Sequence, residues 1–140
     1  MSSYPSGAVT FLFTDIEGST RLWEQQPEKM HQALACHDAL IRACVAGNGG
    51  TVVKMVGDGV HAVFAEPLDA LVATVQLQQA LADPRATKDV ALRVRCGIHT
   101  GVVAQRDNDY FGSAVNRAAR IMSVAHGGQV LLSQAVATRV

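Results

Sequence analysis

The sequence has no excess of charge of either sign. Its 12 lysine and arginine residues equal its 12 aspartate and glutamate residues, so the formal net charge is zero. Proteins that bind nucleic acid or an anionic membrane through a broad basic field need the excess that is absent here. We therefore expect no nucleic-acid partner and no membrane contact from this segment, and any anion must be bound by a local group.

The sequence also has no long apolar run, and we expect no secretory leader in this segment. The opening residues, MSSYPSG, are polar and do not follow the charged and then apolar pattern of a signal peptide. No apolar run approaches the length of a membrane-spanning helix. The three cysteines are odd in number and lie in apolar surroundings, which is typical of reduced core thiols (Cys36, Cys44 and Cys96). These features predict a cytoplasmic segment whose cysteines have no chemical role.

The chain also lacks repeats, long linkers and histidine clusters. With 140 residues, 49% of them hydrophobic, it can bury one sizeable core and has no room for two ordinary domains. We expect one domain over residues 1–140. The five histidines are scattered over unrelated predicted elements, so core or surface positions are favoured over metal ligation (His31, His37, His61, His99 and His126).

The stretch that organises the chain is VTFLFTDIEGST, residues 9–20. Its apolar run predicts a buried strand, and the GST segment predicts a phosphate-sized loop and a helix N-cap. We expect Asp15 at the carboxyl end of the strand beside free backbone N–H groups, a placement that suits a divalent cation carrying phosphates. An alternative is that Asp15 and Glu17 only cap and charge-complement the first helical turn.

A second motif is TVVKMVGDGVHAVF, residues 51–64. Two β-rich runs separated by Gly-Asp-Gly predict a hairpin with Asp58 at its tip, because glycine accepts the positive φ of such turns. Lys54 is a charge inside an apolar strand, and it is either a snorkelling edge residue or a donor directed over a ligand site. Alternation predicts one face with Val52, Lys54 and Val56 and another with Val53 and Met55.

Apolar periodicity predicts three longer helices. Pro27 opens the second helix of the chain, where its missing N–H costs nothing. The last helix follows Gly112, and on it Asn116 and Arg120 lie four residues apart, so that they either reach one ligand together or simply face solvent. The apolar stripes are Met30, Leu34, His37, Ile41, Cys44 and Val45, then Leu68, Leu71, Val72 and Val75, then Val115, Ala118, Ala119 and Met122.

The remaining segments complete the predicted fold. LRVRCGIHTGVV alternates and predicts a half-buried strand, residues 105–110 form a predicted polar turn, and GGQVLLS predicts a last short strand. The residues on the buried face of the alternating strand are Leu92, Val94, Cys96 and Ile98. The element order β-α-α-β-β-α-β-(β)-α-β predicts an α+β, ferredoxin-like fold with a mainly antiparallel sheet and helices packed on one face.

Three motifs in this order, FTDIEGST, KMVGDG and DYFGSAVNRAAR, resemble the catalytic domain of class III nucleotidyl cyclases over most of the chain. The resemblance implies an adenylyl cyclase that converts ATP to cyclic AMP and pyrophosphate as a homodimer, with two Mg²⁺ or Mn²⁺ ions per site. Family members continue beyond the equivalent of QVLLSQAVATRV with a strand hairpin that carries a basic residue for the triphosphate. This sequence ends before that hairpin, so we expect a C-terminally short domain.

The resemblance also implies a role for each motif residue. These roles are metal binding by Asp15, Asp58 and the backbone of Ile16, phosphate binding by the turn at Glu17, Gly18 and Ser19, purine reading by Lys54 and Asp109, ribose orientation by Asn116, and transition-state stabilisation by Arg120.

The chemistry of these residue types agrees with the implied roles. Two cations about 3.5 to 4 Å apart can activate the ribose 3′-hydroxyl and neutralise the leaving pyrophosphate. Arg120 offers a rigid, always protonated fork for charge on the α-phosphate. Lys54 is only a donor and ionised Asp109 only an acceptor, which matches the adenine edge, whereas guanine presents the reverse order. The alternatives are a guanylyl cyclase and a catalytically silent nucleotide-binding regulatory module.

Overall fold

The structure is a computed structural model that describes residues 5–106 and 109–140. In chain order its elements are β1 (Gly7–Ile16), α1 (Ser19–Gln25), α2 (Pro27–Gly47), β2 (Thr51–Val56), β3 (Gly59–Phe64), α3 (Pro67–Leu81), a 3₁₀ turn (Pro84–Thr87), β4 (Val94–Arg106), β5 (Asp109–Phe111), α4 (Ser113–Ser123), β6 (Val130–Leu132) and α5 (Gln134–Ala137).

One sheet organises these elements. The strand order is β2-β3-β1-β4-β5, with antiparallel neighbours throughout, and β6 pairs in parallel with β4. In the centre, Leu12 of β1 lies between Ala62 of β3 and Ile98 of β4. The predicted α+β, ferredoxin-like class is confirmed, because the sheet is mainly antiparallel and the helices pack on it.

The helices cover both faces of the sheet, so the expectation of helices on one face is wrong. Leu12 and Ile16 of β1 belong to a core with α2 and α3, whereas Phe11 belongs to a second core with Ala114 and Ala118 of α4. The reason is visible in β1 itself, since a near-continuous apolar run presents hydrophobic side chains to both faces and each face must then be covered.

A β-bulge in β2 overturns the predicted alternation of that strand. Its pairing with β3 shifts between Val52 and Lys54. As a result Val52 and Met55 pack on the core with α2 and α3, while Val53 packs on the opposite core. The bulge inserts one residue into the strand, so side chains beyond it change face relative to strict period two.

The stripe predicted for α2 is largely confirmed, whereas that of α3 is not. In α2 the buried residues include His37, which makes it a core histidine as expected. In α3 the predicted Leu68, Val72 and Val75 are exposed. The buried residues of α3 are instead Pro67, Ala70, Ala73, Thr74, Leu77 and Leu81. Small side chains thus form the packed face of α3, and a search for large apolar residues misses such a face.

The predicted polar turn over residues 105–110 is mostly strand. Gln105 and Arg106 extend β4, and they pair with Tyr110 and Asp109 of β5. Residues 107 and 108 lie outside the described part of the chain. The misprediction arose because polar residues at the end of a sheet form strands through backbone hydrogen bonds that do not depend on side-chain polarity.

The three cysteines form no disulfide bond with one another. Cys36, Cys44 and Cys96 are all unbonded. Burial raises the pKa of the Cys96 thiol to about 12 and also raises that of Cys44, so both stay protonated and poorly nucleophilic near neutral pH.

Among residues 5–106 and 109–140, no helix combines the length and apolar character that crossing a bilayer requires.

The close approach of α4 to β4 depends on Gly97. A Cβ atom built at this position would lie 2.3 Å from the backbone nitrogen of Met122. We expect Gly97→Ala to lower the free energy of unfolding by about 1–3 kcal/mol, because α4 must move to admit one methyl group. Urea unfolding measures the loss. Gly47→Ala is the control, since a Cβ at Gly47 would meet nothing within 4 Å. Equal unfolding midpoints for the two variants would contradict the prediction.

Candidate active site

Asp15 and Asp58 lie at the same end of two neighbouring strands. In the pairing of β1 with β3, Thr14 is opposite Val60. Continuing this antiparallel register places Asp15 opposite Gly59, next to Asp58. Asp58 occupies a two-residue turn, in which Gly57 has a φ of 58° as the hairpin prediction required. The two carboxylates predicted as metal ligands therefore belong to one corner of the sheet.

This corner is suited to a cation whose other ligands are water and phosphate oxygens. Asp15 is half-buried and lines a cavity of about 240 Å³. Ile16 is 2% exposed, so only its backbone carbonyl could serve a metal. Within the described residues no three His, Cys, Asp or Glu side chains form a cluster. Mg²⁺ bound to phosphates fits such a sparse site, because it usually takes one or two carboxylates and fills its octahedron with water and phosphate oxygens.

In the turn after β1, Glu17 is hydrogen-bonded to other segments and Gly18 has an unusual backbone conformation. Gly18 adopts the left-handed conformation, with φ 68° and ψ 23°, and α1 begins at Ser19. The N–H of Glu17 donates to the Arg93 carbonyl at 2.8 Å, and the Glu17 carboxylate accepts from the Gly127 N–H at 2.7 Å. Glu17 thus ties the turn to the loop before β6, whereas the Ser19 side chain forms no hydrogen bond within the described residues.

The alternative role of Asp15 and Glu17 as helix caps is not what the structure shows. The N-cap residue of α1 is Gly18, no side chain caps the helix, and its first turn contains no acidic residue. Capping would have used a side-chain oxygen on the N–H of the second or third helical residue. Asp15 therefore has no capping role that would account for its position.

Lys54 and Asp109 form an ion pair. Lys54 Nζ donates to Asp109 Oδ2 at 2.8 Å, and the Tyr110 backbone N–H donates to Asp109 Oδ1 at 2.8 Å. The hydrogen bond from Lys54 is the main reason why the pKa of Asp109 is lowered, so this carboxyl is ionised at neutral pH. The side chains are 47% and 28% exposed, which leaves both accessible to a ligand.

The pairing shows how strongly the sheet curls. Lys54 is on β2 and Asp109 on β5, which are the opposite ends of the strand order. Both strands contribute to the same core, through Val53 and Tyr110 respectively. Because adjacent strands of a sheet are rotated relative to one another, a five-strand path coils enough for its two edges to meet over one face.

His61 lies beneath this ion pair. Its ring stacks on Phe13 with centroids 4.3 Å apart, and the residue is 3% exposed. The pKa of His61 is lowered to about 4, mainly by burial and secondly by the charge of Lys54. His61 is therefore neutral near pH 7 and adds no positive charge to Lys54. Sequence reasoning treated this histidine as a core or surface residue, and the core position is confirmed.

Asn116 and Arg120 lie on the outer side of α4. Ala114 and Ala118 form the buried side of that helix, and Asn116 and Arg120 are exposed one turn apart. Within the described part of the chain, neither side chain has a hydrogen-bond or ion-pair partner. In this chain the structure thus brings Lys54 to Asp109 and to the cavity that Asp15 lines. Among the described residues, Arg120 forms no hydrogen bond or ion pair with any of these three.

One contact at the site was missed by sequence reasoning. Trp23 Nε1 of α1 donates a hydrogen bond to Asp58 Oδ1 at 3.3 Å. The sequence signal was only a tryptophan in a short polar helix, which reads equally well as an apolar anchor. The two residues are 35 positions apart, so no local pattern could connect them.

Comparison with known proteins identifies the family. The family model described as adenylate and guanylate cyclase catalytic domain matches residues 1–140. An uncharacterized protein of Mycobacterium tuberculosis is 40% identical over 133 residues, which cover 94% of this chain. The chain spans 44% of that relative's length. An adenylate cyclase of Lachancea kluyveri is 35% identical over 155 residues, covering 92% of this chain and 8% of the relative.

Solved structures agree. An adenylate cyclase structure from Trypanosoma brucei, described in its monomeric state, has a TM-score of 0.87 at 31% identity and covers 98% of this chain and 78% of that chain. The guanylyl cyclase Cya2 has a TM-score of 0.82 at 25% identity, covering 96% and 80% respectively. Together with the corner of carboxylates and the Lys54–Asp109 pair, these similarities show that the chain belongs to the adenylate and guanylate cyclase catalytic domain family.

Proposed function

We propose that residues 1–140 form an adenylyl cyclase domain that converts ATP to cyclic AMP and pyrophosphate. The observation that carries the proposal is the Lys54–Asp109 pair, a donor and an acceptor side by side at 2.8 Å on an accessible surface. Adenine presents its ring N1 as an acceptor beside an exocyclic amine that donates. Lys54 has N–H groups to spare for N1, and Asp109 has lone pairs to spare for the amine.

The two carboxylates are proposed to hold the metals. Asp15, Asp58 and the Ile16 carbonyl would bind two Mg²⁺ or Mn²⁺ ions together with the triphosphate. The ions would promote loss of the 3′-hydroxyl proton and neutralise charge on the leaving pyrophosphate. The protein's own contribution is rigidity, because Asp15 lies one residue before the end of β1 in the centre of the sheet and Asp58 lies in a tight hairpin turn.

Four further residues complete the proposed site. Gly18 and Ser19 would contact the phosphates through the turn after β1, whereas Glu17 supports that turn by its bond to the Gly127 N–H. Asn116 would orient the ribose, and Arg120 would stabilise charge on the α-phosphate. Arg120 suits this role because a guanidinium keeps its charge at any relevant pH and projects from a helix.

The site is proposed to form between two copies of the chain. The support is that Asn116 and Arg120 are exposed on α4 and that, within the described residues, their side chains form no hydrogen bond or ion pair with Asp15 or Asp58. In a two-fold dimer each chain would give Asp15 and Asp58 to one site and Lys54, Asp109, Asn116 and Arg120 to the other. We place this domain in the cytoplasm, where ATP is available and where its unpaired thiols remain reduced.

A guanylyl cyclase is the second candidate. The similarity to the guanylyl cyclase Cya2 favours it, because that protein is 25% identical to this chain and is described as acting on the other purine nucleotide. Incubation of the purified domain with ATP or GTP and Mn²⁺, followed by chromatography of the products, separates the two candidates. Cyclic AMP as the main product supports the proposal, whereas cyclic GMP as the main product contradicts it.

The role of Lys54 and Asp109 in purine recognition can be tested by exchanging donor and acceptor. We expect the double variant Lys54→Glu, Asp109→Cys to lower kcat/KM for ATP and to raise the GTP/ATP ratio, because the Lys54–Asp109 edge would then suit guanine. Absolute activity will fall as well, since the pocket shape is not redesigned. Lys29→Glu, at an exposed position of α2, is the matched charge-reversal control. The ratio of kcat/KM for GTP to that for ATP should stay at the wild-type value in the control. If it also stays at that value in the double variant, purine reading by this pair is disproved.

A further inference from the structure

The contact between Trp23 and Asp58 links the two halves of the carboxylate corner. Trp23 belongs to α1, which begins at Ser19, directly after the strand that carries Asp15. Asp58 belongs to the hairpin turn between β2 and β3. The Trp23 Nε1 to Asp58 Oδ1 hydrogen bond therefore ties the helix that follows one carboxylate to the turn that holds the other.

The tryptophan is itself held in place. Its ring is partly buried and packs against the core that α2 and α3 cover. It also makes an edge-to-face contact with His31 of α2, with ring centroids 6.5 Å apart. An indole fixed by packing can aim its N–H with little loss of entropy on forming the bond. Asp58, in contrast, lies in a hairpin turn in which Val56 and Gly57 are exposed.

The chemistry of the bond leaves the carboxylate available to a cation. An indole N–H only donates, and it carries no charge that would compete with a metal. It engages Oδ1 of Asp58. Within the described residues Oδ2 has no partner. The carboxylate is thus oriented through one oxygen and left open at the other, which is the arrangement that supporting groups give to metal ligands in proteins.

We propose that Trp23 is a positioning residue for the metal site: it orients Asp58 for divalent-cation binding. This inference rests on the proposed function, because it takes Asp58 as a metal ligand. Trp23 does not touch the nucleotide or the reacting atoms. Its effect is exerted on the carboxylate, so its loss should appear first in metal affinity and only through it in catalysis.

Trp23→Phe removes the N–H and keeps an aromatic ring in the packed site. We expect its dissociation constant for Mn²⁺, measured from the electron paramagnetic resonance of free Mn²⁺ in the presence of a non-cyclisable ATP analogue, to rise about 10-fold or more. The loss of turnover should be larger at low than at high Mn²⁺ concentration. A purely structural role would instead lower the melting temperature and reduce turnover equally at all metal concentrations.

Two other variants make the test specific. His31→Ala removes the other ring contact of Trp23 but retains the N–H to Asp58, and it should bind Mn²⁺ as the wild type does. Equal weakening in His31→Ala and Trp23→Phe would overturn the inference, because ring packing would then position the carboxylate. Asp58→Ala tests the proposed function separately. If it binds Mn²⁺ normally, Asp58 is not a ligand. If only Asp58→Ala is weakened, the metal site stands and the role of Trp23 falls.

The native residue offers a test that does not depend on whether Trp23→Phe folds. The chain contains one tryptophan, so its fluorescence comes from Trp23 alone. We expect Mg²⁺ with the same ATP analogue to shift or quench the indole emission, and Asp58→Asn, which keeps an oxygen acceptor but lacks the charge, to abolish the change. An emission spectrum that stays unchanged in the wild type while calorimetry detects Mg²⁺ binding would overturn the inference.

Discussion

Asp15→Ala and Asp58→Ala are each expected to reduce the rate of cyclic AMP formation by at least about 100-fold, equivalent to about 3 kcal/mol of lost transition-state stabilisation. Each variant removes one of the two carboxylates at the corner formed by the end of β1 and the hairpin turn. Neither residue belongs to a hydrophobic core, so the fold should survive. Product chromatography with ATP and Mn²⁺ measures the loss, and circular dichroism checks the fold.

The matched control is Asp69→Ala. Asp69 is an exposed carboxylate in the first turn of α3, on the face of the sheet opposite α4, and its loss should leave turnover close to that of the wild type. Substantial cyclase activity in purified, folded Asp15→Ala or Asp58→Ala would show that the two-metal assignment is wrong. An equal loss in the Asp69 variant would point to a general effect of charge.

Mixing two inactive variants should restore activity if the site is shared between two chains. Asp58→Ala and Arg120→Ala homodimers are each expected to be inactive, because both of their sites lack one group. In a mixed dimer one site collects both lesions and the other has none. Random exchange makes half of the dimers mixed, so roughly a quarter of wild-type activity should return. Turnover is measured before and after mixing at a concentration that favours dimers.

A second mixture shows whether rescue depends on where the lesions lie. Asp15→Ala and Asp58→Ala both affect the same half of a site, so every mixed dimer has two damaged sites and no activity should return. The cavity that Asp15 and Lys54 line together within one chain offers the contrasting possibility of a site built in a single copy. Failure of Asp58→Ala and Arg120→Ala to complement each other, once subunit exchange has been demonstrated by differential labelling, would establish that possibility.

Local patterns in the sequence were sufficient for the strand ends and turns of the site. The apolar run before Asp15 predicted β1, and the glycine before Asp58 predicted the turn that its φ of 58° confirms. The i, i+4 spacing of Asn116 and Arg120 predicted their common exposed side on α4. These features depend on backbone preferences and on the periods of strands and helices, which act over a few residues and can be read directly.

Local patterns failed where packing selected the face. Strict alternation misplaced Lys54 relative to Val52, because a bulge inserts one residue into β2. Large apolar residues suggested a stripe on α3 that includes Val72 and Val75, yet the buried face there is made of smaller side chains. Propensity and periodicity describe one element at a time, whereas the face that an element buries is decided by what lies against it.

The sequence by itself determined the family, the element order and the charged residues of the proposed site. Only the tertiary structure decided which of them meet. Lys54 reaches Asp109 across 55 residues because the sheet coils until its edge strands approach. Trp23 reaches Asp58 across 35 residues, and Glu17 reaches Gly127 across 110, because helices and loops dock on that sheet. Such contacts depend on three-dimensional packing, which no short-range pattern encodes.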